Sequence, residues 1–212
     1  ETVRQLFKRL ARAGELYPVA HDHYYTAAAV AGLADIVRRL NAAWYGALAH
    51  MDRQVGGILD AVDELGLAGR TRIVYASDHG ESRGARGLFG KFTMYEESVG
   101  IPLVMAGPGV PQGRVVRTPV SLVDLYPTVL EAVLGAAPGG DGRPGRSLLK
   151  IAGERDADRT VFSEYHALGC THGFFMARTR RWKYVHYVEA PPQLFDLAND
   201  PQELRDLAGR ET

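Results

Sequence analysis

Apolar residues recur at spacings of three and four through Leu48, Met51, Val55, Ile58, Val62 and Leu65, which places them on one face of a helix. The helical pattern runs from Thr26 to Gly66, a residue that accepts the left-handed conformation past a helix end. Inside it, the pair Gly56-Gly57 costs about 1 kcal/mol per residue relative to alanine, which predicts a close approach there, to a neighbouring sheet. Upstream, to about Tyr25, the pattern is mixed, with Pro18 and the polar cluster HDHYY, and reads as a short helix and a loop. After Gly66 the period changes. Two short apolar runs bounded by Gly and Pro, RIVYA (72–76) and IPLVMAG (101–107), predict buried strands of a parallel sheet with helices before and after. Between them TMYEES predicts a short helix. The stretch SLVDLYPTVLEAVLG predicts another, with Ser121 or Asp124 capping its start, Pro127 in its first turn and Gly135 at its end.

Beyond the linker GAAPGGDGRPG the apolar runs crowd together. TVFSEYHA, GFFMARTRR, WKYVHYV and PQLFDL read as strands of a small antiparallel sheet, and the tail ANDPQELRDLAG as a turn and a short helix. No stretch repeats another. The pattern predicts an α/β fold, with residues 1–144 in the α/β core and 145–212 in a smaller α+β subdomain carrying the antiparallel sheet.

Composition narrows the class. Of 212 residues, 46% are apolar, and 25 Lys+Arg balance 25 Asp+Glu, which is globular and gives no reason to expect nucleic acid or an acidic membrane as partner. The stretch WKYVHY is aromatic and basic, but no wider positive patch accompanies it. No apolar run approaches the ~20 residues needed to span a bilayer. The single cysteine, Cys170, excludes an internal disulfide framework and fits a reducing compartment, the cytoplasm being favoured. The chain opens ETVRQLFKRL, without an initiator Met or a signal-type apolar core, so a piece of a longer protein is expected.

The candidate chemistry gathers where the RIVYA strand ends, in Asp78-His79-Gly80. Ligands of α/β sheets collect outside the carboxyl ends of strands. A carboxylate oxygen beside an imidazole nitrogen suits a divalent cation, though two ligands cannot complete its shell. The alternative is a turn capped by Asp78 with His79 packed beside it. A Gly-rich loop follows and closes on Lys91, whose ammonium can stabilise charge developing on a bound oxyanion. Arg83 and Arg86 in that loop read either as attractors of an anionic substrate or as solvated residues. His21-Asp22-His23 reads as a metal clip or as a loop with two solvated histidines. His166 and His172, flanking Cys170, read as the rim of a substrate pocket, as a second metal or redox cluster, or as neither, with Cys170 a small buried residue. His186 alternates along its strand with Tyr184, and packing is its expected role.

Taken together, YASDHGESRGARGLFGKFTMYEESVGIPLVMAGPGV resembles the sulfatase family of the alkaline-phosphatase superfamily. AAWYGALAHMDRQVGGILDAVDELGL, VSLVDLYPTVLEAVLG and WKYVHYVEAPPQLFDLANDPQELRDLA look like further blocks of that family in the same order, from about Ala42 onward. The His after Asp78 is similar to choline-sulfatase-like and phosphonate monoester hydrolase-like branches. The resemblance implies a partial alkaline-phosphatase-like sheet core. It implies that Asp78 ligates a divalent metal (calcium, or else manganese or magnesium) and that His79 ligates it too or contacts the nucleophile. It implies that Lys91 holds a sulfate oxygen near the leaving group. The family's nucleophile, a formylglycine made within Cys/Ser-x-Pro-x-Arg, has no counterpart in the sequence, and neither have the paired acidic metal ligands of the family's N-terminal strand, since no Asp-Asp occurs.

Three functions follow as expectations. The first is the C-terminal part of a sulfuric ester hydrolase acting on a small-molecule sulfate ester, inactive alone and completed by a missing N-terminal half. The second is phosphonate or phosphate diester hydrolysis on the same fold, since sulfate and phosphate share a tetrahedral shape. The third is a non-catalytic fragment or partner subunit. An unpaired sheet edge would also favour self-association into a homo-oligomer.

Overall fold

The computed structural model describes residues 16–20, 23–136, 142, 144–167 and 172–209, with side chains from 34 onward. They fall into two compact units, one made of residues 1–66 and 80–91, the other of 67–79 and 92–212.

In the first unit, β1 (Leu16–Ala20) and β2 (His23–Thr26) pair antiparallel, with Tyr17 opposite Tyr25. The mixed pattern upstream of Thr26 had suggested a short helix and a loop. The short helix falls outside the described residues, and where the loop was expected the chain forms this pair of strands, as the aromatic run HYYT favours, with Pro18 tolerated because a two-stranded ribbon has only edges. Residues 1–15 lie outside the described residues. Helix α1 (Ala27–Glu64) has 38 residues, about 57 Å at 1.5 Å per residue, and Gly66 follows it at φ 64°. Several residues of its apolar face are exposed. Leu48, Met51, Ile58 and Leu65 are 40–70% exposed. Among the described residues, nothing lies within 4 Å of where a side chain at Gly56 or Gly57 would begin. The unit's remaining piece, the loop 80–91, closes on itself. The Ser82 N–H donates to Gly90 O at 2.9 Å and the Gly84 N–H to Leu88 O at 2.7 Å, around a 3-10 turn at Ala85–Gly87.

In the second unit, β3 (Ile73–Ala76) and β4 (Leu103–Ala106) are antiparallel, with Ala76 opposite Leu103 and Ile73 opposite Ala106. This corrects the parallel pairing expected from their apolar character. The segment joining them holds the 3-10 turn Ala85–Gly87 and the four-residue α2 (Glu96–Val99) but no long crossover helix, whereas a parallel pair needs a crossover that returns the chain to the far end of the first strand. Val74 and Val104 are also 37% and 60% exposed, so the pair is only partly buried. Helix α3 (Leu125–Leu134) opens on a 3-10 turn at Leu122–Asp124 with Ser121 and Asp124 forming a capping box, holds Pro127 in its first turn and stops at Gly135, as its sequence requires. Helix α4 (Leu148–Gly153) follows.

The four expected strands are β5 (Val161–Tyr165), β6 (Phe174–Arg178), β7 (Trp182–Tyr187) and β8 (Ala190–Asp196), an antiparallel meander in sequence order. One face carries Phe174, Met176 and Val185 into a core with Met94, flanked by Val99, Tyr165 and Tyr187. The tail 197–209 contains turns and no helix. Asp200 accepts the Arg205 N–H at 2.7 Å and Asp206 that of Leu194 at 3.0 Å, side-chain acceptors that compete with helical bonding.

Candidate active site

Strand β3 ends at Ala76, and the next residues turn sharply. The Ser77 hydroxyl donates to His79 O at 2.7 Å, and the His79 N–H donates to Asp78 Oδ1 at 2.9 Å. This local bonding fixes Asp78 and His79 side by side, with Asp78 Oδ2 3.4 Å from His79 Nε2. The Asp78 side chain is 82% exposed, so its carboxylate is accessible and not consumed in burial. The turn reading and the metal reading are therefore compatible, because one carboxylate oxygen shapes the turn and the other faces the imidazole. Among the described residues no group of three or more His, Cys, Asp and Glu side chains is placed to hold a metal. The pair supplies an oxygen and a nitrogen donor, a fit to part of a divalent cation's shell.

Lys91 belongs to the first unit, at the end of the closed loop, and is exposed. That loop is conformationally costly. Arg83 and Arg86 sit at φ 47° and 57°, left-handed values that cost non-glycine residues about 1–3 kcal/mol each and that cluster at functional sites. The Arg83 guanidinium lies 5.3 Å from the Tyr45 ring and 5.7 Å from the Trp44 ring on α1, a cation–π contact that holds the loop on the helix.

The histidines flanking Cys170 each lie beside a glutamate. His166 Nε2 is 3.5 Å from Glu164 Oε2, and its ring meets Phe175 edge-on at 4.9 Å, while His172 Nε2 is 3.0 Å from Glu189 Oε2. Cys170, like His21 and Asp22, lies outside the described residues, and of His23 only its place in β2 is described. His186 and Tyr184 share the exposed face of β7, and His186 packs its ring against that of Phe175 on β6, centroids 6.3 Å apart.

Two ionic clusters escaped sequence reasoning. The fully buried Asp124 accepts the Ser121 N–H at 2.9 Å, the Arg146 N–H at 2.7 Å and both Arg159 Nη groups at 2.6 and 2.8 Å. Those hydrogen bonds raise the pKa of Arg159. The fully buried Lys183 has Nζ 2.6 Å from Glu96 Oε1 and from Glu203 Oε1, and Arg178 flanks Glu96 at 3.1 Å. Burial pushes the Glu96 carboxyl up, but Lys183 and Arg178 together hold it below its ordinary value. One signal for the second cluster was available: alternation along WKYVHY puts Lys183 on the same side as inward-facing Val185.

Comparison with known proteins decides the family. A family model described as "Sulfatase" matches residues 15–136, more than half of the chain, and one described as "N-sulphoglucosamine sulphohydrolase, C-terminal" matches 84–212. The chain belongs to the sulfatase family. Arylsulfatase K of Gallus gallus is 37% identical over 207 residues, covering 92% of this chain and 38% of that protein, and arylsulfatase K of Homo sapiens is 34% identical over the same shares. The chain thus spans 38% of the length of these two curated relatives. Among solved structures, the phosphonate monoester hydrolase of Agrobacterium radiobacter superposes with a TM-score of 0.69 at 31% identity, over 81% of this chain and 37% of that one. A 2-O GAG sulfatase superposes at 0.67 and 28%, over 75% and 36%. Sulfatases and phosphonate monoester hydrolases are branches of the alkaline-phosphatase superfamily, and the mixed α/β architecture with antiparallel sheets agrees with its C-terminal portions.

Proposed function

We propose that this chain supplies one side of the active site of a metal-dependent sulfatase that hydrolyses small-molecule sulfate esters. The observation that carries this reading is the Asp78–His79 pair, fixed at the carboxyl end of β3 inside the segment matched to the sulfatase family. In it, Asp78 and His79 hold a divalent cation, calcium for preference and otherwise manganese or magnesium, which when bound draws charge from the sulfate oxygens. Asp78 contributes an exposed carboxylate oxygen and His79 an imidazole nitrogen whose backbone is anchored to Ser77. Lys91 donates hydrogen bonds to a sulfate oxygen near the leaving group, where negative charge grows in the transition state. The formylglycine nucleophile and the opposing carboxylates come from a preceding part of the same protein, and the isolated chain is inactive.

The test is an aryl sulfate assay on the complete protein. Lys91→Ala should lower turnover by about 100-fold or more, the scale for loss of one preorganised charge donor, and a near-wild-type rate would sink the assignment. The superposition on a phosphonate monoester hydrolase supports a second reading, cleavage of phosphonate or phosphate diesters. Relative turnover of an aryl sulfate and a phenylphosphonate ester separates the two.

A further inference from the structure

Lys183 occupies an inward place on β7 that its neighbours give to apolar side chains, and it is fully buried. Its ammonium donates to Met94 O at 3.0 Å and lies 2.6 Å from both Glu96 Oε1 and Glu203 Oε1. The other oxygen of Glu203 accepts the backbone N–H of Glu96 at 2.8 Å. Two backbone groups of the same short segment, Met94 C=O and Glu96 N–H, are thus gripped by side chains far away in sequence. Replacing a buried ion cluster with apolar groups is often neutral or stabilising, so stability is a poor reason for this one. What it supplies is orientation, because an ammonium and a carboxylate hold a carbonyl and an N–H in fixed directions.

The gripped segment is the one the chain enters after Lys91. Glu203 reaches it from the tail, which is itself tied to β8 by the Leu207 N–H to Leu194 O bond at 2.8 Å. Glu203 also sits at φ 53°, a left-handed conformation that the surrounding contacts must impose. We infer that Lys183 and Glu203 are positioning residues that clamp Met94–Glu96 and so fix the chain where it leaves Lys91. The inference rests on the reading of Lys91 as the lysine that holds the sulfate.

Hydrogen exchange on the 212-residue chain tests the clamp. Glu203→Gln keeps the shape of the side chain but turns one acceptor into a donor facing Lys183 or the Glu96 N–H. Leaving one such group unsatisfied should speed exchange at the amides of residues 94–99 by about tenfold, with those of α3 unchanged. Lys183→Met leaves two carboxylates facing each other and should speed it about 100-fold; should that variant not fold, Glu203→Gln still decides. A change under about twofold at 94–99, or an equal rise in α3, would overturn the clamp. In the complete protein, Glu203→Gln should lower kcat for an aryl sulfate about tenfold with KM within about twofold, since the substituted residue touches no substrate. An unchanged kcat would overturn the positioning role. Complete wild-type protein that cleaves no sulfate ester would instead strike the sulfatase reading, and the exchange result would then decide the clamp by itself.

Discussion

Asp124→Asn is the substitution whose cost the structure specifies most fully. Each carboxylate oxygen accepts one backbone N–H and one guanidinium N–H: Oδ1 from Arg146 and Arg159 Nη2, Oδ2 from Ser121 and Arg159 Nη1. An amide in either orientation therefore turns one acceptor into a donor, facing one backbone N–H and one guanidinium N–H at 2.6–2.9 Å. A buried N–H left unsatisfied costs about 1–3 kcal/mol, and a lost charge-assisted bond about 1.5–3. Asp124 is fully buried, but the Arg159 side chain is 23% exposed and recovers part of its loss from water, so the lower end applies, about 3 kcal/mol. For a chain of this length that lowers the unfolding midpoint by about 6–12 °C. The assay is urea or thermal unfolding followed by Trp182 fluorescence in a Trp44→Phe background, because the chain has two tryptophans and Trp182 lies in the same unit as Asp124. A double-mutant cycle with Arg159→Met isolates the pair. A loss below about 1 kcal/mol in Asp124→Asn would refute the claim that both oxygens are committed acceptors.

Other outcomes follow from single contacts. Gly107→Ala should destabilise by more than about 3 kcal/mol, since at φ 115° its new methyl would run into Thr71 O and lie 2.9 Å from Arg72 Cα, both backbone atoms; a loss of unfolding free energy under about 1 kcal/mol would contradict it. Glu189→Gly should stabilise by about 0.5–1 kcal/mol in the same unfolding assay, because Glu189 holds φ 60° at a left-handed penalty of about 1–2 kcal/mol and its ion pair with His172 is exposed and weak. The hydrogen bond from Arg181, aided by Asn199 and Ala198, holds the Asp196 carboxyl at about 2 against an ordinary 3.8. Its folded pKa is depressed, so its contribution is present above pH 3.8 and is lost between 3.8 and about 2, with that of Glu96 falling away below its ordinary 4.5. Burial, with Tyr95, Asp206 and Glu203, pushes Tyr187 up to about 12 from 10.0. The folded state therefore favours its neutral phenol, and that contribution is lost as pH rises from 10.0 to about 12. A flat unfolding free energy across both windows would contradict these environments.

Periodicity made the long helix, the capped helix α3 and the four-stranded meander legible, because each is a local pattern with punctuation at its ends. It could not give the direction of β3 against β4. A strand apolar on both sides reports coverage, not polarity, and the antiparallel pairing is set by a connection that returns to the edge it left. The hairpin at 16–26 was hidden because two very short strands carry too few alternations to outweigh Pro18. The site divides in the same way. Asp78 and His79 were legible because they are adjacent and their geometry is made by Ser77 beside them. Lys183 was half legible, since alternation placed it inward, but its partners Glu96 and Glu203 come from segments 87 and 20 positions away and no local pattern joins them. A buried lysine in an alternating strand implies distant carboxylates, because an unpaired ammonium in a core would cost several kcal/mol. That inference was available from WKYVHY alone, and it directs attention to the acidic residues on either side of the sheet in sequence. Of these, EES follows Lys91 and PQEL lies in the tail, so the same reasoning that completes Lys183's charge balance joins the end of the chain to the segment next to the proposed catalytic lysine.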